Sequence, residues 1–410
     1  MKSIVMKSLV LLFLVRVAVF AQTRPIRLGV WYWLNSAPKS EWERDFRAAR
    51  EIGFTDISLA WGLATDAFAF READGKYALQ ACQRAGLGAY LCVWHPTANS
   101  LPRHAEFQQV DVAGHLRFTF DVFNPAWRRT QWKSYLQKIA LTYGPEPALA
   151  GYVFDDSFET GPIDRFGGKS GPPDEQIISY GEVERRRFGR ELPRKPSDTD
   201  WAGWVKARAG WWEDWARDTV QFIRQADPNP HHEIYLEDDD YVLQPRARDS
   251  VGVDLARVAK HFDAFCAYTA VPWDNFPESG ARVAEHTRDV IERTRAVVGA
   301  DKLRIYSFWV ANNTPDLYKP GPAKLPTVDQ IRQVCDMALK LGIRHLDMYG
   351  WRIGDFRVTG EEWPLARPGR GPTYPLTRPY VGKHLYDRPE IHAALRAYFR
   401  SLTSAGSPQR

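Results

Sequence analysis

Apolar and aromatic runs of seven to nine residues recur along the chain, each bounded by turn residues. Eight of them have the length and β-branched or aromatic content of strands: 27–33, 55–62, 87–94, 149–156, 232–239, 262–270, 302–310 and 343–351. Between them the spacing of apolar positions lengthens to that of an amphipathic helix, over 40–53, 76–86, 125–144, 199–226, 278–299, 327–342 and 388–402. The first of these helices opens with Ser40 and Glu43 in capping-box spacing and closes at Gly53.

Strands alternating with helices build βαβ units and a parallel sheet, and eight such units predict an α/β fold, a closed (β/α)8 TIM barrel. The first strand is not followed by GxGxxG, which weighs against an open dinucleotide-binding sheet. Two stretches exceed what a barrel needs: 157–200 after the fourth strand and 352–387 after the eighth. Both are expected as long loops at the C-terminal ends of strands, the face where barrel active sites lie.

At 410 residues and 44% hydrophobic, the chain is long enough for a large core and unlike a disordered sequence. Residues 1–21 have basic Lys2 and Lys7, an apolar stretch and small Val19 and Ala21, as in a signal peptide. Read as a membrane anchor, the apolar stretch is only about 13 residues and is interrupted by Arg16, too short to span a bilayer. The expectation is a secreted or periplasmic protein whose single barrel domain occupies 22–410, with no membrane association after cleavage. Removing the segment takes away Lys2, Lys7 and Arg16, so the formal net charge falls from +5 to +2. That leaves no footprint for nucleic acid, and the Arg-rich 184–190 sits among acids, as on a solvated helix face. Cys82, Cys92, Cys266 and Cys335 show neither CxxC pairing nor disulfide-scaffold density, and read as small buried hydrophobes.

In a barrel, the strand ends form one surface. It collects Trp31, Trp33, Trp61, Trp94 with His95, Trp273, Trp309 with Asn312, and Tyr349 with Trp351, seven of the sixteen tryptophans. Flat rings there suit the C–H face of a sugar, while an indole N–H meets a hydroxyl; the competing reading is core filler. The run AGYVFDDSF ends in Asp155 and Asp156, and the next strand ends in Glu237 followed by Asp238, Asp239 and Asp240. Charges so near a barrel core are costly unless paired or used. Adjacent acids push one another's pKa upward, which suits a general acid near neutral pH. Glycosidic hydrolysis needs such an acid and a second carboxylate. The bland alternatives are rim caps for the aspartates and a solvent-facing or calcium-binding run for 237–240, although the spacing does not match an EF-hand loop.

Residues 123–158, in which Asn124-Pro125 precedes a helix and Tyr143-Gly144 closes it, resemble the segment before the fourth strand of family 42 β-galactosidases. GVWYW at 29–33 with the following helix and strand to 62 resembles their first βα unit. That family ends its fourth strand in Asn-Glu where this chain has Asp155-Asp156, and the seventh strand here carries no glutamate at the nucleophile's place. VFDDSF also resembles the O-GlcNAc hydrolase family, which implies Asp155 orienting a substrate acetamido group and Asp156 as acid/base.

The sequence reading is thus a glycoside hydrolase acting on a carbohydrate, without cofactor or metal. Asp155, Asp156 and Glu237 are its candidate catalytic residues, and Trp31, Trp33, Trp61, Trp94, His95, Trp309, Asn312, Tyr349 and Trp351 its candidate sugar contacts. The alternatives are a carbohydrate-binding barrel without catalysis and a metal-dependent hydrolase; GVWYW lacks the His-x-His that the latter needs.

Overall fold

The computed structural model describes residues 25–60, 72–93, 105–114, 116–155, 180–195, 197–239, 252–269, 282–310, 325–352 and 384–405. Eight parallel strands close into a barrel: β1 (Arg27–Trp33), β2 (Asp56–Ala60), β3 (Gly88–Cys92), β6 (Leu149–Phe154), β7 (Glu233–Asp239), β8 (Ala264–Thr269), β9 (Leu303–Trp309) and β10 (His345–Arg352). They follow one another around the barrel in chain order, and β10 pairs with β1 to close it. All eight lie within the stretches that the sequence pattern predicts, to within a residue or two at each end.

The strand period of two sorts the side chains onto two faces. Outward residues such as Leu28, Val30, Ile57, Leu59, Tyr152 and Phe154 join the apolar stripes of the helices in one large core. The helix Lys39–Ile52 presents Trp42, Phe46, Ala49 and Ile52 to it, one helical face at spacings of three and four. The helix ends at Gly53, whose φ of 121° a side chain would strain and whose N–H bonds the Ala49 and Arg50 carbonyls. Its start departs from expectation. Pro38 occupies the N-cap without a side-chain bond, so Ser40 lies inside the first turn and the Ser40–Glu43 capping box does not form.

The connection from β3 to β6 carries a two-stranded antiparallel hairpin, β4 (Gln108–Val110) and β5 (Leu116–Phe120). The stretch expected as one loop after the fourth barrel strand is partly built. The Tyr180 N–H bonds the Val110 carbonyl at 2.9 Å, a helix runs Glu182–Phe188, and Tyr180, Leu192, Trp201 and Trp204 make a small core of their own. Residues 156–179, 353–383 and the N-terminal 1–24 lie outside the described residues. Among the described residues, no helix is long and apolar enough to cross a membrane. All four cysteines are free and buried, as the sequence pattern implies.

Candidate active site

Inside the barrel, charge is paired at the N-terminal end and concentrated as acid further along. At the base, Arg27 grips Asp56 through two bonds of 3.0 and 2.6 Å and donates to the Tyr90 hydroxyl at 2.6 Å. Tyr90 donates in turn to Glu233 at 2.8 Å, and Arg304 pairs with the other Glu233 oxygen. Burial works against the Asp56 charge, but the Arg27 bonds and charge outweigh it and hold the carboxyl below its ordinary value. His345, buried nearby, is pushed down to about 3 by burial and by Arg27, so it is neutral.

The next inward positions are Ser58 on β2, Tyr235 on β7 and Asp347 on β10. Ser58 donates to Asp347 Oδ2 at 3.1 Å, and the Tyr235 hydroxyl sits 3.5 Å from the same oxygen. Burial lifts the Asp347 carboxyl to about 7. The Ser58 bond and the Trp31 and Tyr235 side chains favour its ionised form, while the Asp56 charge adds to the rise. Room for the carboxylate comes from Gly29 on β1, where a Cβ would lie 2.5 Å from Asp347 Oδ1.

Glu237 and Asp155 face the same interior. Val153 belongs to the interior core while Tyr152 and Phe154 belong to the outer one, so the alternation turns Asp155 inward, where it is 4% exposed. Glu237 is fully buried. The Cys266 thiol registers all three acids. Burial raises its pKa most, followed by the charges of Glu237 and Asp347, a hydrogen bond with Glu237 and the charge of Asp155. Cys266 is therefore a protonated thiol among carboxylates and no nucleophile. The reading of 237–240 as a solvent-facing run fails at its first two residues, since Asp238 is also buried.

The aromatic residues gather around Tyr349. Trp309 lies 4.5 Å from it between ring centroids, Trp31 5.2 Å and Trp33 6.3 Å, with Tyr268 at 6.2 Å. Trp31 is fully buried and forms a floor, whereas Trp33 and Trp309 are partly exposed. Trp351, expected among the sugar contacts, does not join them. It stands on the outer face with Phe54 and Tyr386 and stacks on His392 at 5.5 Å. The cause is a register shift between β1 and β10. Val30 pairs with Met348 and Tyr32 with Arg352, so two residues on one strand span four on the other, and the alternation that holds for His345, Asp347 and Tyr349 is lost.

Of the residues singled out from sequence, the barrel brings together Asp155, Glu237, Trp31, Trp33, Trp309 and Tyr349. Asp156, Trp61, Trp94, His95 and Asn312 lie outside the described residues. The sequence pattern alone does not mark Asp347, Ser307 and Tyr268, which the barrel adds to them. The available signal for Asp347 was its place in HLDMYGW, two residues before Tyr349 and so on the same face. Among the described residues, no cluster of His, Cys, Asp and Glu could hold a metal ion.

No family model matches the sequence, and no curated protein is similar to it. Similarity appears among solved structures. The β-galactosidase of the psychrophilic Marinomonas ef1 aligns with 14% identity and a TM-score of 0.63, over 92% of this chain and 59% of its own. That of Rahnella sp. R3 aligns with 11% identity and a TM-score of 0.64, over 93% and 57%. The PgaB (BpsB) glycoside hydrolase domain of Bordetella bronchiseptica aligns with 13% identity and a TM-score of 0.55, over 80% and 94%. GH42 β-galactosidases are thus among the structures with this fold, and the chain spans a little over half the length of those it matches. The fold is the (β/α)8 barrel that these glycoside hydrolases share.

Proposed function

We propose that the chain is a glycoside hydrolase that holds a sugar against Trp33, Trp309 and Tyr349 and cleaves its glycosidic bond with carboxylates from neighbouring barrel strands. The observation that carries the reading is the burial of Asp155, just past the end of β6, and of Glu237 on its paired neighbour β7, in the same interior as those rings. Charges in such a place are costly unless paired or used, and the reading takes these two as used. In the proposed reaction the carboxylic acid of the Asp155-Asp156 pair, assigned to Asp156, gives its proton to the glycosidic oxygen as the C–O bond breaks. Water adds to the anomeric carbon and its proton passes to a carboxylate. Glu237 is the further carboxylate that stabilises the developing positive charge. The likeness to solved glycoside hydrolases supports the class, and the resemblance of the Asp155-Asp156 pair to N-acetylhexosamine hydrolases adds that substrate class to the panel. Residues 1–21 support export to the periplasm or medium.

A second reading, a sugar-binding barrel without catalysis, is favoured by one observation. The inward face of β9 is Ile305, Ser307 and Trp309, with no carboxylate.

The test is release of reducing ends or aryl groups from polysaccharides and 4-nitrophenyl glycosides, including galactosides and N-acetylhexosaminides. The chain is compared with Asp156→Asn and Glu237→Gln. A loss of about a hundredfold or more in either variant is the scale expected for general acid–base catalysis. Absence of hydrolysis across the panel, with sugar binding intact in both variants, refutes the hydrolase in favour of the binding protein.

A further inference from the structure

The carboxyl of Asp347 is held most firmly from one side. Oδ2 takes the Ser58 and Tyr235 hydroxyls and the Trp31 side chain also favours the charged form, while Oδ1 itself meets no hydrogen-bond partner at bonding geometry among the described residues. Beside it on β9, in direct register, stands Ser307, fully buried and inward, whose hydroxyl also has no partner among the described residues. Two buried polar groups on neighbouring strands thus face the interior that Glu237 and Asp155 share. Both Asp347 and Glu237 act on Tyr235 and on Cys266, which places the two acids within electrostatic reach of the same side chains.

We propose that Asp347 is a positioning residue of this site: its carboxyl, anchored through Oδ2, sets by its charge how tightly the carboxylates that face it hold their protons. The inference rests on the hydrolase reading. Asp56 from β2 and Tyr235 from β7 act on it directly, and the other titratable and charged groups of this interior are Arg27 from β1, Arg304 from β9, His345 on its own strand, Glu237 from β7, Cys266 from β8 and Asp155 just past β6. Arg27 and Arg304 are engaged with Asp56 and Glu233, and His345 is neutral, so among the described residues the base supplies Asp347 with no free cation. Asp347 is neutral in acid and gains its charge as the pH passes about 7. From there on its negative charge makes neighbouring carboxylic acids harder to deprotonate, so the acid that protonates the leaving oxygen stays protonated to higher pH.

The experiment is the pH profile of kcat/KM for the full chain and for Asp347→Asn, on the aryl glycoside that the chain cleaves fastest. The alkaline limb is expected to move down by about one pH unit in the variant, while the acid limb stays in place because Asp347 is uncharged there. Above the limb this is a loss of about tenfold relative to the parent. Ser58→Ala delays ionisation of Asp347 and moves the same limb in the same direction by less, which keeps the test open if Asp347→Asn does not fold. A variant whose activity falls equally at every pH, with both limbs fixed, overturns the proposal. An infrared titration of the carboxyl band, read without substrate, separates the two readings. The carboxyl that disappears in Glu237→Gln should titrate about one unit lower in Asp347→Asn. That shift in a chain that cleaves nothing refutes the hydrolase and leaves the coupling standing; no shift in an active chain overturns the coupling alone.

Discussion

Asp347→Asn has a second consequence that needs no substrate, because a carboxyl that holds its proton more tightly in the folded chain makes stability depend on pH. The folded value of about 7 stands above the ordinary 3.8, so the folded chain binds this proton more tightly than the unfolded one. A carboxyl shifted in that direction contributes its stability in full below about pH 4 and loses it as the pH rises through 7. The difference of roughly three pH units corresponds to about 4 kcal/mol at 1.36 kcal/mol per unit. Asparagine does not titrate, so it should remove the loss. It also leaves an amide N–H beside Gly29 without a partner, at a cost of about 1–3 kcal/mol that is the same at every pH. The informative quantity is therefore the difference between the two chains as a function of pH, in which the titrating groups beyond the reach of Asp347 cancel. Urea unfolding followed by circular dichroism at half-unit steps from pH 4 to 9 measures it. The variant should be the less stable of the two in acid and should gain on the parent by about 4 kcal/mol by pH 8, with most of the gain between pH 5 and 7. A difference that stays flat across that range, within about 0.5 kcal/mol, would refute the placement of Asp347 as a desolvated acid.

Other outcomes follow from the same interior. Trp351→Ala empties a fully buried site of the outer core and should cost about 3–5 kcal/mol in unfolding free energy while leaving sugar affinity unchanged. Trp309→Ala should do the reverse, weakening sugar binding measured by calorimetry with a smaller loss of stability; equal losses of affinity in both variants would contradict the two placements. Gly29→Ala puts a methyl group 2.5 Å from Asp347 Oδ1 and 3.2 Å from His345 Nε2, so it should destabilise by about 1–3 kcal/mol in a thermal melt, and an unchanged melt would show that the carboxylate does not lean on β1. The four buried thiols should resist a thiol reagent at pH 8 in the folded chain and react in denaturant; rapid native labelling that Cys266→Ala abolishes would deny that Cys266 is enclosed.

Much of the barrel is legible in the sequence because parallel strands are covered on both faces, so each appears as a nearly unbroken apolar run between helices of a different period. The same property hides the site. In YVFDD the acids stand where the run stops, and the break in hydropathy announces them. In HLDMYGW a single aspartate interrupts a run that continues, and only the alternation with His345 and Tyr349 tells that it points inward. Trp351 shows the limit of counting by twos: four residues of β10 pass while β1 advances two, and nothing in GWR alone records that. The partner strand sets the slip, so it exists only once the barrel is closed. The hairpin of β4 and β5 escaped for a related reason, since three- and five-residue strands are too short to establish a period. The apolar composition of a strand is thus a property of its own residues, while the face on which its last side chains emerge belongs to the pairing. A carboxylate one residue from a register shift can be assigned from sequence as a residue type, but to the interior only from the closed sheet.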